Sequence, residues 1–293
     1  MSSYVPKKAL IVGTVRNAER NVIKDITRIL QAIENIVPAS AFIVESDSDD
    51  ATLQTLEKAS KMDSRIRFVS LGDVASNIPE RISRLRYCRN RYVQEIRNNS
   101  SYKDCDIIIV ADLDGINTKI STSSFKKAFD LQITWDALAA NQTKKYYDIL
   151  ALRHPNWSPN NWINEFEWMK VFLGENRALK HSMIDRMIRI PTNSQPIKVD
   201  SAFGGLCIYK RWVFEKCDYE GGFVDEIDHV TLSRKATKEG ANIYIVPGLI
   251  NSAWTNHSLN SSLSMRIVKN LIMLLPLKKL KPLFHVLFKL LTK

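Results

Sequence analysis

The sequence predicts an α/β protein, a doubly wound and mainly parallel sheet with helices on both faces. Short aliphatic runs alternate with longer segments whose apolar residues recur at helical spacing, which is the pattern of repeated βαβ units. With 293 residues, 45% of them hydrophobic and 25% charged, the chain can bury a substantial core as one large or two small domains. No fixed-period repeat or low-complexity tract interrupts it, so solenoids, propellers and disordered chains are set aside.

The first strand is read in KKALIVGTV, residues 7–15. A first helix follows over residues 16–36, where Val22, Ile26, Ile29, Leu30, Ile33 and Ile36 keep one face apolar. SAFIVESDSDD, residues 40–50, reads as a strand that runs into acids, with a helix at residues 51–61 and a third strand in IRFVSL, residues 66–71. A long helix begins near Pro79, a residue suited to a first turn, and carries Ile82, Leu85, Cys88, Val93 and Ile96 on one side. DCDIIIVADLDG, residues 104–115, is the fourth strand. Beyond it, WDALAANQ and YYDILALR frame a return strand, and HPNWSPNNWINEFEW reads as a loop leading into a helix. VDSAFGGLCIYK enters an apolar strand through Gly204 and Gly205, which suit close backbone approach to a ligand or a bulge. GGFVDEIDHVTLSRKA is an acid-rich helix start.

The chemistry is expected at the strand ends, because open α/β sheets bind ligands in the crevice beyond the carboxyl ends of their strands. Asp112 and Asp114 stand at such an end. Two apart on an extended chain, they point the same way and can share one cation, Mg²⁺ or Mn²⁺, which one or two carboxylates hold together with substrate phosphates. An ordinary Asp-Gly turn would place the same two acids there without a metal. Glu45, Asp47 and Asp49 at the end of the second strand suit hydrogen bonds to a ribose and base, while Asp49 or Asp50 would equally cap the next helix. The long helix is dense in arginine, with Arg81, Arg84, Arg86, Arg89, Arg91 and Arg97. Guanidinium forks match phosphate oxygens, and one or two of these are expected to meet a diphosphate, the rest forming a solvated face.

VGTVRN, VESDSDDAT, RYCRNRYVQEI, IIIVADLDG, FDLQITWDALAANQTKKYYDILALR, VDSAFGGLCIYKRWVF and DEIDHVTL occur in that order across residues 8–256. Together they resemble the GT-A nucleotide-sugar glycosyltransferases, above all the capsule-associated, cryptococcal-type mannosyltransferases and their bacterial polysaccharide-synthesis relatives. The resemblance implies a Rossmann-like mixed sheet and a catalytic domain over residues 1–257, its nucleotide-binding half ending near residue 120 and its acceptor half following. It implies transfer of a sugar from a UDP- or GDP-linked donor to a hydroxyl of a lipid-linked or polysaccharide acceptor. Asp112 and Asp114 would match the metal and diphosphate motif, Glu45 and Asp47 the nucleotide-side acids, and Arg16, Arg86 and Arg89 would serve the donor phosphates. Asp228 matches the family's acid-His element as the base or an acceptor-hydroxyl ligand, with Glu226 the alternative; a retaining enzyme would use Asp228 on a sugar hydroxyl. His257 would complete the metal shell, as a C-terminal histidine does in some GT-A enzymes, although a lone histidine is more often structural. Trp135, Asp136, Asn141, Tyr147, Asp148 and Arg153 offer an acceptor both hydrogen-bonding groups and flat faces. Trp157, Trp162 and Trp168 form either a lid or local packing.

Net charge is +11, and seven of the cations lie between Ser258 and Lys293, a stretch without a single acid. Bulky apolar residues fill the spaces between them, and its longest uncharged run, NLIMLLPL, is far shorter than the ~20 residues that span a bilayer. A basic amphipathic tail over residues 258–293 is expected to lie on an anionic membrane surface, or else to dock on the body or form a dimer contact. Four cysteines without a CxxC pair, and a polar N-terminus, give the expectation of a cytosolic protein with reduced thiols, peripheral on the inner face of the cell membrane. Two other classes use some of the same features. A metal-dependent sugar nucleotidyltransferase would show a glycine-rich first loop with a nearby cation, of which VGTVRN is a poor version. A nucleic-acid-binding protein would carry a polar basic patch with interleaved aromatics, whereas here the excess lies in a greasy tail, so no nucleic-acid partner is expected.

Overall fold

A computed structural model describes residues 4–222 and 226–253. Its elements follow the predicted alternation. Strand β1 (Ala9–Val15) leads to helix α1 (Val22–Glu34), β2 (Ala39–Glu45) to α2 (Thr52–Met62), and β3 (Ile66–Ser70) to α3 (Arg81–Asn98). Strand β4 (Ile107–Ala111) precedes α4 (Thr122–Phe129) and β5 (Ala137–Gln142). A helical pair, α5 (Trp162–Leu173) and α6 (Glu175–Ser182), separates β5 from β6 (Ile197–Val199). The described part ends with β7 (Leu206–Lys210), α7 (Trp212–Lys216), α8 (Asp228–Lys238) and β8 (Ile243–Ser252).

The eight strands form one sheet in the order β3-β2-β1-β4-β7-β5-β8-β6. β1 through β4 are mutually parallel, β7 runs antiparallel between β4 and β5, and β6 is an antiparallel edge on β8. The sheet is therefore mixed and mainly parallel. After β1 the chain builds outward to β3 and then returns to place β4 on the other side of β1. The crevice that such a reversal opens lies outside the carboxyl ends of β1 and β4.

Strand residues alternate between two apolar layers, as a period of two requires. Leu10, Val12, Ile108 and Val110 face the layer that holds Tyr92, Val93 and Ile96 of α3, Phe214 of α7 and Leu232 of α8. Ala9, Ile11, Ile107, Ile109 and Ala111 face Ile26, Ile29 and Leu30 of α1, Leu56 of α2, and Phe125 of α4. β4 is buried along its whole length, because both faces are covered.

Three expectations need correction. The first helix starts at Val22 and not at Arg16: Asn17 takes a left-handed φ of 52°, and residues 17–19 bond across to the loop after β2. The return strand expected around WDALAANQ and YYDILALR is confined to β5, and Tyr146–Arg153 is a turn-rich loop that bridges through Arg153 to Ser201. On α3, Ile82 and Leu85 are only half-buried, while Arg89, expected to serve the donor phosphates, is buried.

The candidate active site

The loop after β4 forms the floor of the crevice. Leu113 is buried, and Asp112 and Asp114 on either side of it turn outward, as alternation along an extended chain demands. The Asp112 side chain keeps 39% of its exposure. Its backbone N–H donates to the Gly205 carbonyl at 3.0 Å. Withdrawal from bulk water pushes the Asp112 carboxyl up to about 7, aided by the carboxylates of Asp114, Asp148 and Asp228 and opposed by Arg89.

Four buried polar residues fix that loop. Asp25 of α1, 1% exposed, accepts from the Gly115 N–H at 2.7 Å and pairs with Arg28 at 3.1 Å. Burial pushes its carboxyl up to about 6, with Gly115 and Arg28 pulling the other way. Asn117 donates to the Asp112 carbonyl and accepts from Asn251 at 3.1 Å. Asn251 and Gln142 both donate to the Gly204 carbonyl, at 2.9 and 3.0 Å. The loop after β4 and the Gly204-Gly205 turn entering β7 are thus tied into one buried amide network. Sequence reasoning missed these residues. Asp25 left a trace, since it falls on the same helical stripe as Val22 and Ile29; the amides left none.

Arg89 links the two sides of the crevice. Its guanidinium pairs with Asp228 at 2.8 Å, reaches toward Asp112 at 3.9 Å and contacts His229, while lying 5.7 and 5.6 Å from the ring centroids of Phe203 and Tyr219. His229 stacks on Phe203 with a centroid separation of 3.6 Å. Burial, and then Arg89, hold its imidazole well below the usual range, so it is neutral. Asp228, expected as a base, is buried at the start of α8, one oxygen against Arg89 and the other accepting from the His229 N–H. Its geometry suits holding Arg89 in place. Glu226 lines a pocket of about 430 Å³ together with Arg153 and Ser201, and is gripped by Arg234 at 3.0 and 2.9 Å. Arg86 donates to the Glu226 carbonyl.

On the nucleotide side the predicted acids are loop builders. Glu45 accepts from the Ser48 N–H and the Ser70 hydroxyl, and Asp47, at a φ of 58°, accepts from the Ala75 N–H at 2.8 Å. Arg16 donates to the Asp47 carbonyl at 3.0 Å and is itself exposed at the end of β1.

The predicted acceptor residues separate. Asp148 stays at the crevice, accepting from the Gly204 N–H at 2.9 Å and adding its charge to that of Asp112. Tyr147 stays too, its hydroxyl close to where a Gly205 side chain would begin. Trp135 and Asp136 are at the opposite end of the sheet, just before β5, whose first residue pairs with Tyr209 near the amino end of β4. There Trp135 is buried against Tyr4 and Phe129, and Asp136 accepts from the indole N–H of Trp212 and the N–H of Asn242. Asn141 is fully buried, bonded to the carbonyls of Ile190 and Pro247. All three occupy core positions, not an acceptor wall. Of the tryptophans, Trp157 bonds to the Arg186 carbonyl and packs on the core, whereas Trp168 is 66% exposed on α5. His257 and residues 258–293 lie outside the described residues.

Among the described residues no three His, Cys, Asp or Glu side chains form a ready metal cage. Asp112 and Asp114 are an all-oxygen pair, and that donor set fits Mg²⁺ or Mn²⁺, which complete their shells with substrate phosphate and water.

No protein-family model matches the sequence, and no curated protein does. Among solved structures, the chain is similar over 84% of its length to the mannosyltransferase PcManGT from Pyrobaculum calidifontis in complex with GDP-Man and Mn²⁺, with 15% identity and a TM-score of 0.46. It spans 56% of that protein. It is also similar over 91% of its length to 78% of glucosyl-3-phosphoglycerate synthase from Mycobacterium tuberculosis in complex with Mn²⁺, UDP and phosphoglyceric acid, at 12% identity and a TM-score of 0.43. S. aureus TarS 1-349 matches over 82% of this chain and 58% of its own, at 14% identity and 0.43.

Proposed function

We propose that this chain is a metal-dependent glycosyltransferase that moves a sugar from a nucleoside diphosphate sugar to a hydroxyl of a lipid-linked or polysaccharide acceptor in cell-surface glycan synthesis. The observation that carries the reading is the crowding of carboxylates at the end of β4. Asp112 and Asp114 turn outward there, and Asp148, held by the Gly204 N–H at 2.9 Å, adds its charge to theirs; acids gathered at one opening favour a bound cation.

Asp112 and Asp114 would hold Mn²⁺ or Mg²⁺. Such an ion, when bound, neutralises the negative charge that grows on the leaving diphosphate. Arg89, held by Asp228 against the protein and 3.9 Å from Asp112, supplies fixed positive charge at the same place without having to reorganise. Arg16 and Arg86 flank the crevice as further phosphate donors. Glu45 and Asp47 shape the loop that receives the nucleoside. In an inverting transfer Glu226 takes the proton of the acceptor hydroxyl, and Asp228 acts as a positioning residue through Arg89. Asp148 and Arg153 form the acceptor side. The basic tail, residues 258–293, keeps the enzyme on the inner face of the membrane beside its acceptor.

Asp112→Asn and Asp114→Asn should each lower transfer a hundredfold or more, on the order of the loss of one charge-stabilising group. Both should keep the wild-type circular dichroism spectrum. In thermal melts with UDP- and GDP-linked sugars, the wild type should be stabilised only when Mn²⁺ or Mg²⁺ is present, and the variants not at all. Stabilisation that persists in both variants would remove the basis of the proposal.

A further inference from the structure

Helix α5 ends in an apolar surface that the described protein leaves to solvent. Val171 and Phe172 are 74% and 72% exposed beside Trp168 at 66%, and Leu173 is exposed as well. Residues 168, 171 and 172, spaced i, i+3 and i+4, share one face of the last turn, and the rings of Trp168 and Phe172 lie 5.4 Å apart. The helix is rooted at its other end, where Trp162 packs on the core and Glu165 pairs with Arg186. Phe172 lies about 15 Å further along the axis, at ~1.5 Å per residue. Gly174, with a φ of 74°, then turns the chain back into α6. The patch is the tip of a helical hairpin.

Size and surroundings select the partner. The four side chains expose on the order of 500 Å², taking ~150–250 Å² for each aromatic. A stable dimer buries about 800 Å² on each copy, so the tip is too small to hold one. It is convex, whereas small molecules bind in concave sites. Its charges cancel: Lys170 pairs with Glu167, Lys180 pairs with Asp185 at 2.6 Å, and the exposed Glu175 and Arg177 offset each other. That leaves no field to attract nucleic acid or another charged polymer. Tryptophan and phenylalanine at the end of a projecting element suit the interface of a lipid bilayer, which takes apolar side chains to a depth of ~5–10 Å. The root of the hairpin adjoins the crevice, since the charges of Glu165, Asp148 and Glu226 all act on Arg153. The described chain also ends at the crevice edge of the sheet, where the Lys119 N–H donates to the Asn251 carbonyl at 2.8 Å and the Thr143 N–H to the Ser252 carbonyl at 3.0 Å. The basic and apolar residues 258–293 follow from that edge.

We infer that the α5 tip inserts Trp168, Val171, Phe172 and Leu173 into the interface of a lipid bilayer, whatever the charge of the lipid. Insertion does not rest on the glycosyltransferase reading; only its use, holding the crevice toward a lipid-linked acceptor, does. The test sediments the full chain with sucrose-loaded phosphatidylcholine vesicles at about 1 M salt, where the reach of charge falls to about 3 Å. Wild type should bind. Trp168→Ser and Phe172→Ser should each weaken binding about tenfold, as losing most of the burial of one aromatic implies. Met62→Ser, which changes a residue 78% exposed on α2, should bind as wild type does. Neither Trp168 nor Phe172 is buried, so both variants should keep the wild-type thermal melt. Bromine-labelled lipid should quench the tryptophan fluorescence of the wild type, and Trp168→Phe should lose much of that quenching. Absence of wild type from the vesicle pellet, or equal binding by wild type, Trp168→Ser and Phe172→Ser, overturns the inference. A wild type that is dimeric without vesicles, with Phe172→Ser monomeric, also overturns it and gives the patch to a second copy. Neither nucleotide nor metal enters this assay, so its failure leaves glycosyl transfer standing, and failure of the nucleotide melts leaves the tip in place.

Discussion

Asp25, Arg89 and His229 are polar groups placed inside the fold, and each is tied to the loop around Asp112 or to the arginine that faces it. Arg89 is tolerated there because Asp228 lies 2.8 Å away and aromatic rings flank it; unpaired, the same charge would carry a large desolvation penalty. His229 is the group whose titration the fold should report. Its folded pKa is depressed, so the unfolded chain takes up a proton first as the pH falls. The stability it secures is complete above about 6.5, the ordinary histidine value, and drains away below it at up to about 1.4 kcal/mol per pH unit. Thermal melts between pH 7.5 and 4.5 should show that His229→Gln has a shallower acid slope than wild type; parallel slopes would mean that His229 is not buried neutral. At this scale the sequence was readable where chemistry is local. Asp112 and Asp114 announce themselves by following an aliphatic strand, whereas the partner of Arg89 is 139 positions away at Asp228, beyond any spacing argument.

The elements translate the sequence most directly where one element meets the sheet. β4 reads as buried because IIIVA has no polar face to offer, and α1 reads as a helix because its apolar stripe repeats at 3.6 residues. Their boundaries moved where a loop is held by side chains from another loop, as Asn17–Glu19 are by Ser48, Asp50 and Thr52. The Gly204-Gly205 turn is the joint between β5, β7 and the loop after β4. Gly204 has a φ of 70°, and a Cβ there would stand 2.5 Å from the Ala140 carbonyl oxygen. Gly204→Ala should therefore cost about 2–4 kcal/mol by strain and displacement of the backbone, measured by urea unfolding. A change within about 0.5 kcal/mol, the usual range for an unconstrained site, would show that the turn is not confined. The glycine pair signals a special turn from the sequence alone, but not which backbone it meets.

For the whole molecule, the decisive event is the return of the chain from β3 to β4, which brings the loops after β1, β2 and β4 to one edge of the sheet. That edge collects Asp112, Asp114 and Asp148, and α3 lays Arg89 across them. In the helical pair α5–α6, α5 has no buried residue and touches the first apolar layer through Trp162, while Trp168 and Phe172 are exposed. No described helix is long and apolar enough to cross a membrane. A chain ending at residue 261 should keep its fold and nucleotide response but no longer sediment with anionic vesicles; equal sedimentation of the two forms would sink the role given to the tail.

The sequence by itself determined the α/β class, the two-sided burial of the central strands, the position of Asp112 and Asp114 at a strand end, and the concentration of positive charge in the tail. These are local properties, written in runs and periods of a few residues. Tertiary structure alone decided which acids converge on Asp112, that Asp228 holds Arg89, and that Trp135 and Asp136 belong to the far end of the sheet. Those depend on strand order and direction. Neighbouring residues in the chain carry no record of either, because pairing partners are chosen by the global packing of two apolar faces.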